Sequence, residues 1–194
     1  MTTIRHEKVC DIAAREKLLD AAFGDRRFTK ASERLREDRL AAEGLSFVAT
    51  EKGRDGERIL GTVRLWNVSA GPGRPALLLG PMAVAADQRG RGIGAALMQR
   101  ALSAAKARGH GAVLLVGDAP YYGRFGFSAD ATGALWMPGP YERERLLALE
   151  LTPGALAGAR GLIGATGRPE PLPDFAALVA AASRDVAMPA NRAA

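Results

Sequence analysis

The stretch Gln88-Arg-Gly-Arg-Gly-Ile-Gly94 sets three glycines and two arginines immediately before an amphipathic run. Glycine lets backbone N–H groups approach an anion closely, and a helix start carries unpaired N–H groups at the positive end of its dipole. Arg89 and Arg91 add full charges that a bare glycine turn lacks. Phosphate is the predicted guest. A Walker loop is excluded, because no Gly-Lys-Ser or Gly-Lys-Thr follows the glycines. A dinucleotide fingerprint fits better, as Gly90-x-Gly92-x-x-Ala95 with Asp118 ending the next apparent strand 23 residues after Ala95. Its first glycine should stand at the end of a strand, yet Ala85 to Arg89 intervene after Val84. Only 76 residues follow Asp118, too few and too interrupted for a doubly wound sheet. A dinucleotide-binding protein is thus a distant second.

Other reactive side chains are sparse. The single cysteine, Cys10, cannot form an internal disulfide and has no partner at metal-ligand spacing, so a buried or idle thiol and no metal are expected. His110 follows Gly109 at a predicted helix end, where a cation suits the dipole, and reads as a surface residue; His6 has no evident partner.

The elements that must position the glycine turn follow from periodicity. TTIRHEK reads as a first strand, and Asp11 caps a helix carrying Ile12, Leu19 and Phe23, ended by Gly24. A charge-laced second helix is expected over Thr29 to Glu43, on the surface. Strands are predicted at 45–51 and 58–68, separated by Gly53 to Gly56. ALLLGPMAV, residues 76–84, suits a strand buried on both faces, with a bulge where Gly80-Pro81 interrupts the ladder. Ile93, Leu97, Met98, Ala101, Leu102 and Ala105 trace one face of a helix over 92–108. GAVLLVG at 111–117 is another buried strand, followed by PYYGRFGF, a strand around ALWM, and a last strand at 145–151. The chain after Pro153 is rich in Gly, Ala and Pro, with AALVAAA as a short terminal helix. Trp66 and Trp136 are placed in strands on either side of the cleft.

With that frame, Arg89-x-x-Gly92-x-Gly94, preceded by Met82-Ala83-Val84 and followed by Tyr122-x-x-x-Gly126-Phe127, resembles the GNAT superfamily of N-acetyltransferases. The likeness is good from about Leu45 to Leu151 and does not cover the tail. It implies a single α/β (α+β) domain over 1–153, built on a mixed, mostly antiparallel sheet splayed between the strands at 77–84 and 111–117 and flanked by helices. The Gly/Ala/Pro-rich extension covers 154–194. It implies acetyl-CoA as cosubstrate, its pyrophosphate on Arg89, Gly90, Arg91, Gly92, Ile93, Gly94 and Ala95, and its pantetheine arm along Met82, Ala83 and Val84. The Met82 N–H would face the acetyl oxygen, and Tyr122 would protonate the leaving sulfur. Tyr121 would pack, and Gly126 and Phe127 would be structural. Asp118 stands where an amide is common in the family; touching coenzyme A, accepting the amine's proton and capping the short helix stay open, with the cap favoured. No general base can be named, Glu51 and Asp118 being candidates.

Composition bounds the alternatives. At 194 residues and 47% hydrophobic content the chain suits one domain with a proper core. The absence of an 18-residue apolar run or an apolar N-terminal stretch predicts a soluble, cytoplasmic protein with no membrane partner. The net charge of +6 comes from interspersed charges, so nucleic-acid binding is disfavoured. The expected activity is acetyl transfer to a primary amine by direct attack in a ternary complex. A noncatalytic acyl-CoA-binding or sensing protein is the alternative. The acceptor, small molecule or protein, is assigned to the loops Gly24 to Thr29, Gly71 to Pro75 and Met137 to Glu142, and a homodimer is left open.

Overall fold

The computed structural model describes residues 1–53 and 56–171; the AALVAAA segment lies outside them. Among the described residues, eight strands and three α-helices follow one another in the order β1 (Thr2–His6), α1 (Ile12–Phe23), β2 (Ser46–Gly53), β3 (Gly56–Ala70), β4 (Pro75–Val84), α2 (Ile93–Ala107), β5 (Ala112–Val116), α3 (Ala119–Gly123), β6 (Leu135–Trp136), β7 (Leu146–Glu150) and β8 (Gly161–Ala165). The sheet runs β1-β2-β3-β4-β5-β7, antiparallel throughout except for the parallel β4–β5 pair; β8 joins β3 antiparallel and β6 parallel. This is the mixed, mostly antiparallel α/β sheet the sequence predicts.

Strand β4 is covered on both sides, as its continuous apolar run requires. Leu77 and Leu79 enter the core shared with α2, whereas Ala76 and Leu78 enter the opposite one with Leu35, Trp66 and Ile163. On α2 the buried residues Ile93, Leu97, Met98, Ala101, Ala104 and Ala105 form one stripe against the sheet. Burial of that stripe, rather than helix propensity alone, fixes where the glycine turn ahead of it sits.

At Gly80-Pro81 the ladder slips, since Val63 faces Met82 but Leu65 faces Leu79, so two residues of β4 oppose Arg64 alone. The predicted bulge is therefore present. It reverses the side-chain alternation, bringing Met82 and Val84 onto the α2 side with Leu77 and Leu79. The Trp66 indole donates to the Gly80 carbonyl at 2.6 Å and pins the bulge from the opposite face.

Two expectations fail. Residues 29–43 form no helix; the chain makes 3₁₀ turns at Gly24–Thr29 and Glu33–Leu35, and Asp38 takes a left-handed φ of 54°. Ala31, Leu35, Arg36 and Ala42 are all buried, so this segment is packed wall rather than surface helix. Nor is the strand at 145–151 the last. Strand β8 follows it within the Gly/Ala/Pro-rich stretch, with Val68 to Ala70 of β3 facing Ala165 to Ile163.

Candidate active site

Strands β4 and β5 run side by side only at Leu77–Val113 and Leu78–Leu114. Beyond that point they part, and a cleft of about 620 Å³ opens between them. The sheet is thus splayed where the sequence places the splay. The Ala85 N–H donates to the Leu60 carbonyl at 2.8 Å. Opposed residues in an antiparallel ladder alternate between exchanging both hydrogen bonds and exchanging none. Ala83–Thr62 is consequently the bonded pair, and Met82 and Val84 turn their N–H and C=O groups away from β3, toward the parted side. An extended chain laid there would find a strand edge.

Past Val84 the chain makes a 3₁₀ turn at Ala86–Gln88 and enters α2 through Gly92, whose φ of 75° is left-handed and favours glycine there. None of the N–H groups from Gly90 to Ala95 meets an acceptor among the described residues. This row of free donors at the head of a 15-residue helix fits a phosphate group. Arg91 is engaged elsewhere, bonded to Gln88 and 3.4 Å from Glu51, so it is an exposed flank of the turn rather than a free cation. Glu51, which also pairs with the N-terminal ammonium at 3.6 Å, does not line the cleft and is removed from the base candidates.

Tyr122 projects from α3 into the same cleft as Met82 and Asp118. Its ring lies so close to Gly117 that a Cβ there would stand 2.7 Å from Cδ2 and nearer still to Cε2. The ring also meets Tyr121 and Phe127 edge-on, with centroids 4.9 and 6.1 Å apart. Burial pushes the Tyr122 phenol up to about 12; Tyr121 and Asp118 push the same way and Arg145 opposes them. The hydroxyl therefore stays protonated across the neutral range. Asp118 occupies the N-cap position of α3, its carbonyl accepting the Tyr122 N–H at 3.0 Å, but its carboxylate caps nothing and lines the cleft. Tyr121 does more than pack: its hydroxyl stands 3.0 Å from where a Cβ of Gly94 would be, linking α3 to the glycine turn.

Several side chains fall elsewhere. Trp66 and Trp136 do not line the cleft; Trp66 is buried at the bulge, and Trp136 is exposed under the Arg143 guanidinium at 4.3 Å. Cys10 is exposed. His6 stacks against Phe47 at 4.7 Å, and His110 is half-buried, its pKa lowered by burial and by Arg108. Of the three loops expected to meet an acceptor, the first and third contribute Arg27, Pro140, Tyr141 and Glu142, whereas Gly71 to Pro75 packs at the opposite end, against Arg160 and Gly161. Sequence reasoning missed Lys30, Arg36 and Arg145, which also line the cleft. The only signal for Arg36 and Arg145 was charge density in SERLREDRL and YERER, and Lys30 lies in neither stretch. No three His, Cys, Asp or Glu side chains gather as a metal would need, and no helix is long and apolar enough to cross a membrane, among the described residues.

Residues 12–127 match the model of the Acetyltransferase (GNAT) family, and the chain belongs to that family. Among solved structures, the chain is similar to the GNAT family N-acetyltransferase YhbS from Escherichia coli in complex with CoA, at 29% identity and a TM-score of 0.70, over 84% of this chain and 89% of that one. It is similar to a GNAT family acetyltransferase from Brucella melitensis in complex with acetyl-CoA, at 26% identity and a TM-score of 0.56, over 90% and 94% of the two chains. A GNAT acetyltransferase from Staphylococcus aureus, 17% identical with a TM-score of 0.55 over 78% and 100% of the chains, shares the fold. No curated protein matches the sequence.

Proposed function

We propose that the protein transfers an acetyl group from acetyl-CoA to a primary amine by direct attack in a ternary complex. The observation that carries this reading is the meeting, in one cleft, of the strand edge at Met82 with the protonated hydroxyl-bearing ring of Tyr122. The pyrophosphate would rest on the free N–H groups of Gly90 to Ala95, with Arg89 as the added charge. The pantetheine arm would extend along the outward groups of Met82 and Val84, with Ala83 holding the strand to β3. A neutral amine then attacks the thioester carbonyl, forming the C–N bond while the oxygen gains charge toward the Met82 N–H. The C–S bond breaks, Tyr122 gives its proton to the thiolate, and the amine's surplus proton leaves to a base. Asp118 and Glu142 are the two carboxylates that line the cleft. The exposed Cys10, outside the cleft, offers no acyl-enzyme nucleophile.

The test is an amine panel with acetyl-CoA, read by free-thiol release and product mass, beside calorimetry with CoA. Tyr122→Phe should keep CoA affinity and lower kcat by about 10²–10⁴-fold, the usual worth of general acid help. CoA binding without turnover on any amine would favour a noncatalytic acyl-CoA-binding protein. NAD binding without CoA binding would favour the dinucleotide reading.

A further inference from the structure

The lining of the cleft is cationic and undercompensated. Arg27, Lys30, Arg36 and Arg145 line it, against only Asp118 and Glu142. Arg27 is paired through Nη2 with Glu16 and Asp20, although its Nε is buried without a partner, and Arg145 is paired with Glu142 at 3.3 Å. Arg36 is different. Its side chain is only 6% exposed, and one terminal nitrogen, Nη2, serves Glu33 at 2.6 Å and Ser32 at 3.4 Å. Its Nε is buried without a partner, and its Nη1 makes no hydrogen bond among the described residues while reaching the bulge, 3.7 Å from where a Cβ of Gly80 would stand. Lys30 has no carboxylate partner among the described residues and rests over the Phe23 ring at 4.5 Å. Burial, and then the charges of Arg36 and Arg145, lower its pKa, as a crowd of like charges must.

A nine-tenths buried guanidinium with unused donors is costly unless an anion comes to it. The phosphates of acetyl-CoA are not that anion on the present reading, because no residue of the turn at 89–95 lines this cleft. We infer that the acceptor is a small amino acid-like amine whose carboxylate docks on Arg36 and Lys30, while its amino group faces the Asp118 and Glu142 side. The lining offers both halves of a zwitterion's complement: Arg36 and Lys30 from the 27–36 segment carry spare positive charge, and Asp118 and Glu142 supply carboxylates, the latter shared with Arg145. A planar guanidinium takes a carboxylate through paired N–H donors, which orients the amine as well as binding it. The cleft volume also lies in the range of small-molecule sites.

This inference rests on the acetyl-transfer reading, and the experiment separates the two. Full-length protein and acetyl-CoA are given matched pairs that differ only in the acid group: β-alanine against β-alaninamide, γ-aminobutyrate against its amide, and an aminoalkyl phosphate of similar length. The carboxylate member should be preferred by about 10- to 100-fold in kcat/KM, the worth of one hydrogen-bonded charge. Lys30→Met, at an exposed position where no ion pair is broken among the described residues, should cut that ratio about 10-fold, mainly through the KM of the carboxylate. Arg36→Gln should cut it further, with CoA binding showing that the fold survives. Equal use of acids and amides, preference for the phosphate, or an unchanged ratio in Lys30→Met would overturn the carboxylate site and leave acetyl transfer standing. Acetylation of no amine would overturn both.

Discussion

Gly117→Ala tests whether the placement of Tyr122, rather than its presence, sets the rate. The added Cβ would stand 2.7 Å from the ring's Cδ2, closer to Cε2, and 3.1 Å from Leu115 Cδ1. An ordinary carbon contact is about 3.5 Å, so the ring must retreat by roughly 1 Å or more. It cannot do so freely, because Tyr121 and Phe127 flank it. A displacement of about 1 Å at a reacting group is worth about 10²-fold in rate, and overpacking of this kind costs about 1–3 kcal/mol of stability. Single-turnover kinetics with saturating acetyl-CoA should therefore show about a 10²-fold loss, with CoA affinity near wild type and a lowered Tm. In the Tyr122→Phe background the same change should add little, because the displaced ring no longer carries the proton. Gly123→Ala, where an added Cβ meets nothing within 4 Å, is the control. Full activity in Gly117→Ala, with the chemical step shown to be rate-limiting, would refute the role given to Tyr122.

Gly94→Val puts bulk between the Tyr121 hydroxyl and Val84 at the head of α2, and calorimetry should show CoA affinity falling about 10-fold or more while the helix persists. Because burial holds the Tyr122 phenol near 12, kcat should rise with pH as the amine loses its proton and should show no alkaline fall by pH 10; a descending limb near pH 9 would count against Tyr122 as the acid. Asp11 accepts from Arg5 at 2.6 and 2.9 Å and from the Lys8 N–H at 2.7 Å, and the Arg5 bond holds its carboxyl below the usual range. Its stabilising effect is thus present above the unfolded carboxylate's pKa of about 4 and is lost as pH falls through the lower folded value. Asp11→Asn should cost about 1–3 kcal/mol at pH 7 in denaturant melts and lose less than wild type on acidification.

What could be read from the sequence was whatever local pattern alone specifies. The apolar strand at 76–84, doubly buried over 76–79, its interruption at Gly80-Pro81, the glycine turn and the stripe on α2 each follow from neighbours within a few residues, and each stands where it was placed. The wall of the cleft did not, because SERLREDRL shows charges at helical spacing and nothing in one dimension says that the Arg36 guanidinium turns inward. GLIGA, with two glycines in five residues and no alternation, becomes strand only because β3 and β6 offer it edges. The tryptophans misled for a related reason: their strands were identified, but the face each ring takes depends on the bulge and on neighbours distant in sequence.

The sharing of β3 between two partners has a temporal side. Its first half is bordered by β2, complete once residue 53 exists, whereas the same border of Val68 to Ala70 waits for residues 163–165. During synthesis, nearly a hundred residues must be added after that half-strand before its amides are covered, and throughout that interval it is an open template for another chain. A gene fragment cut after Pro153 would make that transient exposure permanent, so solubility, before any catalytic property, would report where the functional unit ends.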